Sequence, residues 1–141
     1  MSKIYVATGL ERAAEARSLM SKLGELGHTI TYDWTAHGSV QRDGPGRIAE
    51  VANAEAAGVV ASNVFIALLP GGRGTHTELG IAIGSAAAEE IWPRGVCLRR
   101  IYLVGPLAGA DGLECAFYRH RLVSARFETA DELLGHLRRD R

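Results

Sequence analysis

The stretch VFIALLPGGRGTHTELGIAIGSAAA, residues 64–88, predicts a buried strand, a glycine turn and a helix in succession. Residues 64–69 form an unbroken apolar run, which is typical of a strand covered on both faces in a parallel sheet. A proline and glycines end this run. From Thr75 onward the pattern becomes helical and leaves almost no polar face, so we expect a buried helix in which Gly80 and Gly84 permit close packing.

Glu78 places one carboxylate in the first turn of this predicted helix, and two interpretations are open. Thr75 and Glu78 have the spacing of a capping box, in which the threonine caps the helix and the glutamate reaches back to the backbone. A capping box needs no glycines before it, whereas a ligand resting on the backbone does. Gly71, Gly72 and Gly74 therefore favour a chemical role, since helix starts at strand ends bind ligands and favour anions.

The composition is that of one soluble globular domain. The chain has 141 residues, of which 47% are hydrophobic and 23% charged, and its net charge is zero. Zero net charge gives no indication of a nucleic-acid partner. We find no signal peptide and no membrane-spanning run, and Cys97 and Cys115 lack metal-ligand spacing. We therefore expect a cytoplasmic protein with two free thiols, without a membrane partner, a cofactor or a metal.

Strands and helices are predicted to alternate along the whole chain. Besides the central pair, strands are expected at 3–7, 29–32, 100–104 and 122–127, and helices at 11–26, 47–57, 113–120 and 129–139. This alternation predicts an α/β fold, a single-domain Rossmann-like or flavodoxin-like three-layer sandwich with a mostly parallel sheet. Segment 89–98 is expected to be a loop. Segment 36–46 is long for a connection, which indicates a substrate loop.

Three segments give the chain a resemblance to a known enzyme family. KIYVA at 3–7, ALLPGGRGTHTELGIAIG at 67–84 and ARFETADELLGHL at 125–137 together resemble the nucleoside 2-deoxyribosyltransferase family. The resemblance covers nearly the whole chain, so residues 1–141 are expected to form one domain of that kind. It implies a small-molecule nucleoside or nucleotide substrate and a homo-oligomer, because sites in that family are commonly completed by a neighbouring subunit.

The same resemblance implies roles for individual residues. Glu78 falls on the family's nucleophile and Tyr5 on the tyrosine that orients it. Glu55 is the best match to an acidic residue before the central strand, where the family more often has aspartate. Asp33 and Trp34 follow the second strand, where the family's residues face the base.

A second resemblance involves the glycine turn alone. PGGRGTHTE at 70–78 matches the P-G-G-x-G-T-x-x-E motif of the "lonely guy" phosphoribohydrolases. Those enzymes have a longer chain and a further glycine-rich motif, neither of which is found here. Both families cleave an N-glycosidic bond.

Cleavage of the bond between C1′ and a base nitrogen would use Glu78 as an ionised nucleophile that holds the sugar covalently. Helix-start N–H groups and a tyrosine hydroxyl would favour the ionised form. Asp33 is the candidate acid for the leaving base. Backbone N–H groups of the glycine turn would contact sugar or 5′-phosphate oxygens. Side chains near them, or near the Thr8-Gly9 turn, include those of Thr8, Arg12 and Arg73.

Three functions remain open at this point. The first is transfer of a 2-deoxyribosyl group from one base to another through a covalent Glu78 intermediate. The second is hydrolysis of nucleoside 5′-monophosphates with the same nucleophile, which a basic pocket would favour. The third is a nucleotide-binding module without turnover.

Overall fold

The computed structural model describes residues 1–92 and 99–140, and this part of the chain forms one parallel β-sheet flanked by helices. Its strands are β1 (Lys3–Ala7), β2 (Thr29–Ile30), β3 (Val64–Leu68), β4 (Arg100–Val104) and β5 (Ala125–Phe127). Its helices are α1 (Ala13–Glu25), α2 (Pro45–Ala61), α3 (Arg73–Ile91) and α4 (Ala130–Arg139). The expected α/β class with a parallel sheet is confirmed.

The strand order is β2-β1-β3-β4-β5, with every pairing parallel. This is a doubly wound order, in which the chain runs outward from β1 on one side and from β3 on the other. The connections that follow β1 and β3 therefore leave the sheet in opposite directions and form a crevice outside the carboxyl ends of these strands. That crevice is where a ligand site is expected in this class of sheet.

The sheet is buried on both faces, as the apolar strand sequences predict. All residues of β3 and the last four of β1 and β4 are buried. Helices α2 and α3 pack together on one face. Right-handed crossovers place α1 and α4 on the opposite face, where Lys22 and Asp131 join them by an ion pair of 3.6 Å.

Several predicted boundaries differ from those observed. β2 and β5 are shorter than expected, and the helix expected at 113–120 is only a 3₁₀ turn, Ala116–Arg119. α2 begins at Pro45, which suits the first turn of a helix because proline lacks the N–H that would be unpaired there. The long loop before α2 is shortened accordingly. Residues 93–98 of the expected loop, with Cys97, lie outside the described residues.

The helix α3 departs from three expectations. It begins at Arg73 rather than Thr75, and it continues to Ile91, into the segment 89–98 that was expected to be a loop. It also buries one stripe while its other face is exposed. Gly80 and Gly84 lie on the exposed face, and a Cβ atom at either position would meet no atom within 4 Å. They therefore do not serve close packing within the chain. No helix in the described residues is both long and apolar enough to cross a membrane.

Close packing between α2 and the sheet requires a glycine at position 58. A Cβ atom built there would lie 2.8 Å from Tyr32 Cβ and 3.2 Å from the ring of Tyr5, so α2 could not approach the sheet with a larger residue. We expect Gly58→Ala to destabilise the fold by about 1–3 kcal/mol through overpacking. Gly84→Ala is the matched control, and it should stabilise the fold by about 0.5–1 kcal/mol because an exposed helical glycine gains helix propensity.

Urea unfolding of both variants tests this contrast. Opposite signs of the change in unfolding free energy would support the tight contact between α2 and Tyr5. Stabilisation by both substitutions would show that α2 lies farther from the sheet.

Candidate active site

A buried tyrosine and a buried glutamate form the centre of the site. Tyr5 lies in the middle of β1 with no exposed surface, and Glu78 lies on α3 with 8% exposed. The Tyr5 hydroxyl donates a hydrogen bond to Glu78 Oε2. The ring of Tyr5 is also stacked on that of Phe65 in β3, at 6.1 Å between centroids, so the sheet holds the hydroxyl in place.

Glu78 is not part of a capping box. Because α3 begins at Arg73, Glu78 falls in the second turn, and the residue before the helix is Gly72. Thr75 lies inside the first turn, where its Oγ1 accepts a hydrogen bond from the Gly72 N–H at 3.2 Å. The Glu78 carboxylate is therefore paired with Tyr5 across the core and not with the start of its own helix.

Burial controls the ionisation of this pair. Burial raises the pKa of Glu78 to about 8, and the hydrogen bond from Tyr5 lowers this pKa by a smaller effect, while the charge of Glu55 raises it slightly. The pKa of Tyr5 is raised above its ordinary value by burial and by the Glu78 charge, so the phenol stays protonated. Desolvation thus opposes the ionised form of Glu78 that the mechanism requires, and it outweighs the tyrosine hydrogen bond that favours this form.

A cavity of about 700 Å³ opens beside this pair, within the size range of small-molecule sites. It lies at the carboxyl ends of the strands, in the crevice that the strand order predicts. The candidate residues that line it are Thr8, Gly9, Trp34, Glu55, Gly72, Arg73, Gly74 and Glu78. Tyr5 lies behind Glu78 and does not line the cavity. Gly71 faces a neighbouring cavity of about 280 Å³ instead.

The start of α3 gives the cavity one end that suits an anion. Residues 72–75 line it, and the first N–H groups of a helix have no acceptor within that helix. Gly72 has no side chain to cap them, and its carbonyl accepts a hydrogen bond from the Nδ1 atom of His76 at 2.7 Å. Arg73 adds a cationic side chain at the same place.

The side chains of two other candidate phosphate ligands form hydrogen bonds within the protein. The hydroxyl of Thr8 donates to the carbonyl of Leu68 at 2.9 Å, which ties the ends of β1 and β3 together. The guanidinium of Arg12 contacts Glu15 and the carbonyl of Pro70, and it does not line the cavity.

Asp33 lies outside the cavity. Its side chain is exposed, and it accepts hydrogen bonds from the backbone N–H of Thr35, at 3.0 Å, and from the Thr35 hydroxyl. Asp33 therefore caps the short 3₁₀ turn Trp34–Ala36, as aspartate commonly does after a strand. Trp34 is buried, donates from Nε1 to the carbonyl of Val6 at 2.8 Å and contributes to the cavity wall.

Comparison with known proteins shows a likeness in fold. No family model and no curated protein matches the chain. The chain shares its fold with the Clostridium botulinum CMP N-glycosidase BcmB. That solved structure matches 99% of each chain with a TM-score of 0.59 and 19% sequence identity, a level that shows the fold alone. The resemblance to the nucleoside 2-deoxyribosyltransferase family stays a prediction.

The side of the cavity opposite α3 was largely missed by the sequence analysis. The loop after β2 and the first half of α2 supply residues there, namely His37, Gly38, Ser39, Val40, Gln41, Ile48, Val51 and Ala52. Leu10 and Glu11 complete the rim near the end of β1. The unusual length of segment 36–46 was the one available signal, and it did not indicate which side chains turn inward.

The charge of the cavity is mixed. Among the described residues that line it, Glu11, Glu55 and Glu78 are acidic, while Arg73 is the one guanidinium. These lining residues therefore do not form the basic pocket that would have favoured hydrolysis of nucleoside 5′-monophosphates. In residues 1–92 and 99–140, no three His, Cys, Asp or Glu side chains are grouped so that they could hold a metal ion.

Proposed function

We propose that the protein hydrolyses the N-glycosidic bond of a nucleoside 5′-monophosphate, with Glu78 as nucleophile. The observation that carries this proposal is that Glu78, which is hydrogen-bonded to the buried Tyr5, and the glycine-capped start of α3 line the same cavity. A carboxylate is the group that stabilises or bonds to a sugar C1′ cation, and a helix start is a site for phosphate. BcmB, which has the same fold, is named as a CMP N-glycosidase and supports the choice of a nucleotide.

The spacing along α3 suits such a substrate. Glu78 follows the first helical residue, Arg73, by five positions. At 1.5 Å per residue this separates the two by about 7.5 Å along the axis, which is comparable with the span from a 5′-phosphate to C1′. A phosphate at the N–H groups of residues 73–75 would therefore place C1′ near the Glu78 carboxylate. Arg73 would pair with the phosphate charge.

The proposed reaction has two displacements. An ionised Glu78 oxygen forms a bond to C1′ while the C1′–N bond breaks and its electron pair leaves with the base. The base takes a proton from Glu55, which lines the cavity and whose pKa is raised by burial. Water then attacks C1′, releases Glu78 and returns a proton to Glu55. The sugar keeps its configuration because the face of attack is inverted twice.

Tyr5 is proposed to favour the reactive form of Glu78. With a pKa of about 8, only about one-tenth of Glu78 is ionised at pH 7, so kcat/KM should rise with pH through this value. The tyrosine hydrogen bond opposes the burial effect. Without it the ionised fraction at neutral pH would be smaller.

Tyr5→Phe is expected to lower kcat/KM at neutral pH by about 10- to 100-fold, the cost of losing a hydrogen bond to a charged group. The rising limb of the pH profile should also move to higher pH, because the hydrogen bond that lowers the pKa of Glu78 is gone. The measurement is kcat/KM against pH for both proteins. An unchanged midpoint with a lower plateau would show that Tyr5 contributes only to packing.

Transfer of a 2-deoxyribosyl group is the second candidate function. The excess of carboxylates in the cavity suits an uncharged nucleoside better than a phosphate dianion. The same covalent Glu78 intermediate would then be captured by a second base instead of water. A homo-oligomer, expected from the family resemblance, stays a prediction in either case.

A chromatographic assay separates these functions. One series contains 2′-deoxynucleosides with a different free base, and a parallel series contains nucleoside 5′-monophosphates alone. Free base and ribose 5-phosphate from the monophosphates would support the hydrolase. A new nucleoside in the first series would support the transferase. Products in neither series, together with saturable nucleotide binding that survives Glu78→Ala, would support a binding module without turnover.

A further inference from the structure

His37 lies at the beginning of the loop between β2 and α2 with its ring fixed on two sides. Its Nδ1 atom is 2.8 Å from the carbonyl oxygen of Gly38, which can only accept, so Nδ1 carries a proton. The ring lies against that of Tyr32, with centroids 5.9 Å apart. In the neutral ring the second nitrogen, Nε2, therefore has a free lone pair.

This second nitrogen is buried and has no hydrogen-bond partner among the described residues. Leaving a buried polar atom unpaired costs about 1–3 kcal/mol, and such atoms in folded proteins usually have a functional explanation. His37 also lines the proposed substrate cavity. Nε2 of His37 is thus available in the cavity to accept a hydrogen bond that no described residue donates in this structure.

Glu55 is the side chain that fits this requirement. It lines the same cavity and lies one helical turn before Gly58, where α2 touches Tyr32 and Tyr5. Tyr32 therefore borders both His37 and the segment that carries Glu55. The pKa of Glu55 is raised by burial, and a positive charge on His37 opposes this effect, which means that the two groups interact electrostatically.

We propose that His37 and Glu55 share the proton that the leaving base takes, with His37 as a positioning residue that acts through Glu55. The inference rests on the proposed function. The shared proton is bonded to the Glu55 carboxyl group and hydrogen-bonded to the lone pair of His37 Nε2. As the C1′–N bond breaks, the O–H bond of Glu55 breaks and leaves its electron pair on the carboxylate. The proton moves to the base, which has received the electron pair of the C1′–N bond. When water attacks the glycosylated Glu78, its proton returns by the same route.

A hydrogen bond between Glu55 and Nε2 would give the carboxyl group one orientation in the cavity, which is what proton transfer to a bound base requires. The exposed Asp33, which is used in capping a turn, has no such arrangement. The loop that begins at His37 would thereby contribute to the chemistry and to the cavity wall.

The test compares two substrates that differ in their need for a proton. The nucleoside 5′-monophosphate requires protonation of its base. In 4-nitrophenyl β-ribofuranoside 5-phosphate the phenolate leaves without one. The variants are Glu55→Gln, His37→Asn and the double variant. Asparagine keeps an N–H group where Nδ1 donates to Gly38, so it preserves the anchor of the loop and removes only Nε2.

We expect each single variant to lower kcat/KM for the nucleotide by about 10²-fold, the usual contribution of a general acid, and to leave kcat/KM for the nitrophenyl substrate, which reports only the formation of glycosylated Glu78, within about 3-fold of wild type. The double variant should lose no more than the worse single variant, because both substitutions interrupt one unit. Equal losses on both substrates, additive losses, or full nucleotide turnover by His37→Asn would overturn the inference.

Different results would contradict the proposed function and the inference about His37. If wild type leaves the nucleotide intact, or if Glu78→Gln still cleaves both substrates, the proposed hydrolase or its nucleophile is wrong, and the inference about His37 falls with it. If Glu78→Gln loses both substrates while His37→Asn retains both, the hydrolase stands and only the shared proton is rejected.

Discussion

Glu78→Gln is expected to lower the rate of N-glycosidic cleavage by about 10³-fold or more, the scale of loss when a nucleophile is removed from an active site. Glutamine has the size of glutamate and its amide oxygen still accepts the hydrogen bond from Tyr5, so the core and the cavity should keep their shape. What is lost is the negative charge that stabilises the developing cation at C1′ and the oxygen that bonds to it.

The control for this experiment is Glu50→Gln. Glu50 lies on the exposed surface of α2, where it pairs with Arg47 at 3.2 Å, and it does not line the cavity. This variant removes the same charge from the protein and should keep wild-type turnover. Measurement of released base for both variants, together with their melting curves, separates loss of chemistry from loss of fold.

Mass spectrometry of acid-quenched wild-type reactions gives an independent test of the nucleophile. A glycosyl adduct on the peptide that contains Glu78 would support the covalent mechanism. An adduct on another peptide, or substantial turnover by Glu78→Gln, would show that Glu78 is not the nucleophile.

Glu78→Gln is also expected to stabilise the protein in alkaline solution. Burial raises the pKa of Glu78 from 4.5 to about 8, so the folded protein retains a proton that the unfolded chain has already lost. The folded state then binds more protons than the unfolded state between these values, and the stability of wild type contributed by this group falls as the pH rises through them. Glutamine is uncharged at every pH and avoids this loss.

The difference in unfolding free energy between Glu78→Gln and wild type should therefore grow by about 3 kcal/mol from about pH 5.5 to about pH 9. Taking the difference cancels the titration of groups that both proteins share. Urea unfolding at a series of pH values measures it, and Glu50→Gln should instead follow wild type in parallel. A difference that stays constant with pH would mean that Glu78 titrates as an exposed carboxylate and that the buried pair does not form.

Much of the fold could be predicted because its signals are local. The apolar run at 64–68 identifies a buried strand, and alternation of strands with helices identifies a parallel sheet. Thr129 lies at the predicted start of the last helix and caps α4, since its hydroxyl accepts a hydrogen bond from the N–H of Glu132. Boundaries were less accurate where a helix start depends on a neighbour. The Gly72 N–H donates to Thr75, and the residue that caps α3 is Gly72, three residues earlier than the capping pattern indicated.

The candidate site was predicted in part for a similar reason. In a parallel sheet, the residues that follow the strands all lie at the edge formed by the carboxyl ends. Thr8, Trp34 and Gly72 therefore border the cavity. Asp33 follows β2 as well, but its hydrogen bonds to Thr35 hold it outside. His37 had no motif to mark it. Which side chain of a loop turns inward depends on packing against Tyr32 and α2, and that information is not local.

The sequence by itself determined the order of the elements, the parallel sheet and the location of a glycine turn before Glu78, because periodicity and turn residues act over a few positions. Only the tertiary structure decided the chemical state of that carboxylate. Tyr5 is 73 residues away in the chain and becomes its hydrogen-bond partner only when β1 and α3 meet. Desolvation comes from all the segments that enclose Glu78 together, and it outweighs that hydrogen bond and raises the pKa to about 8.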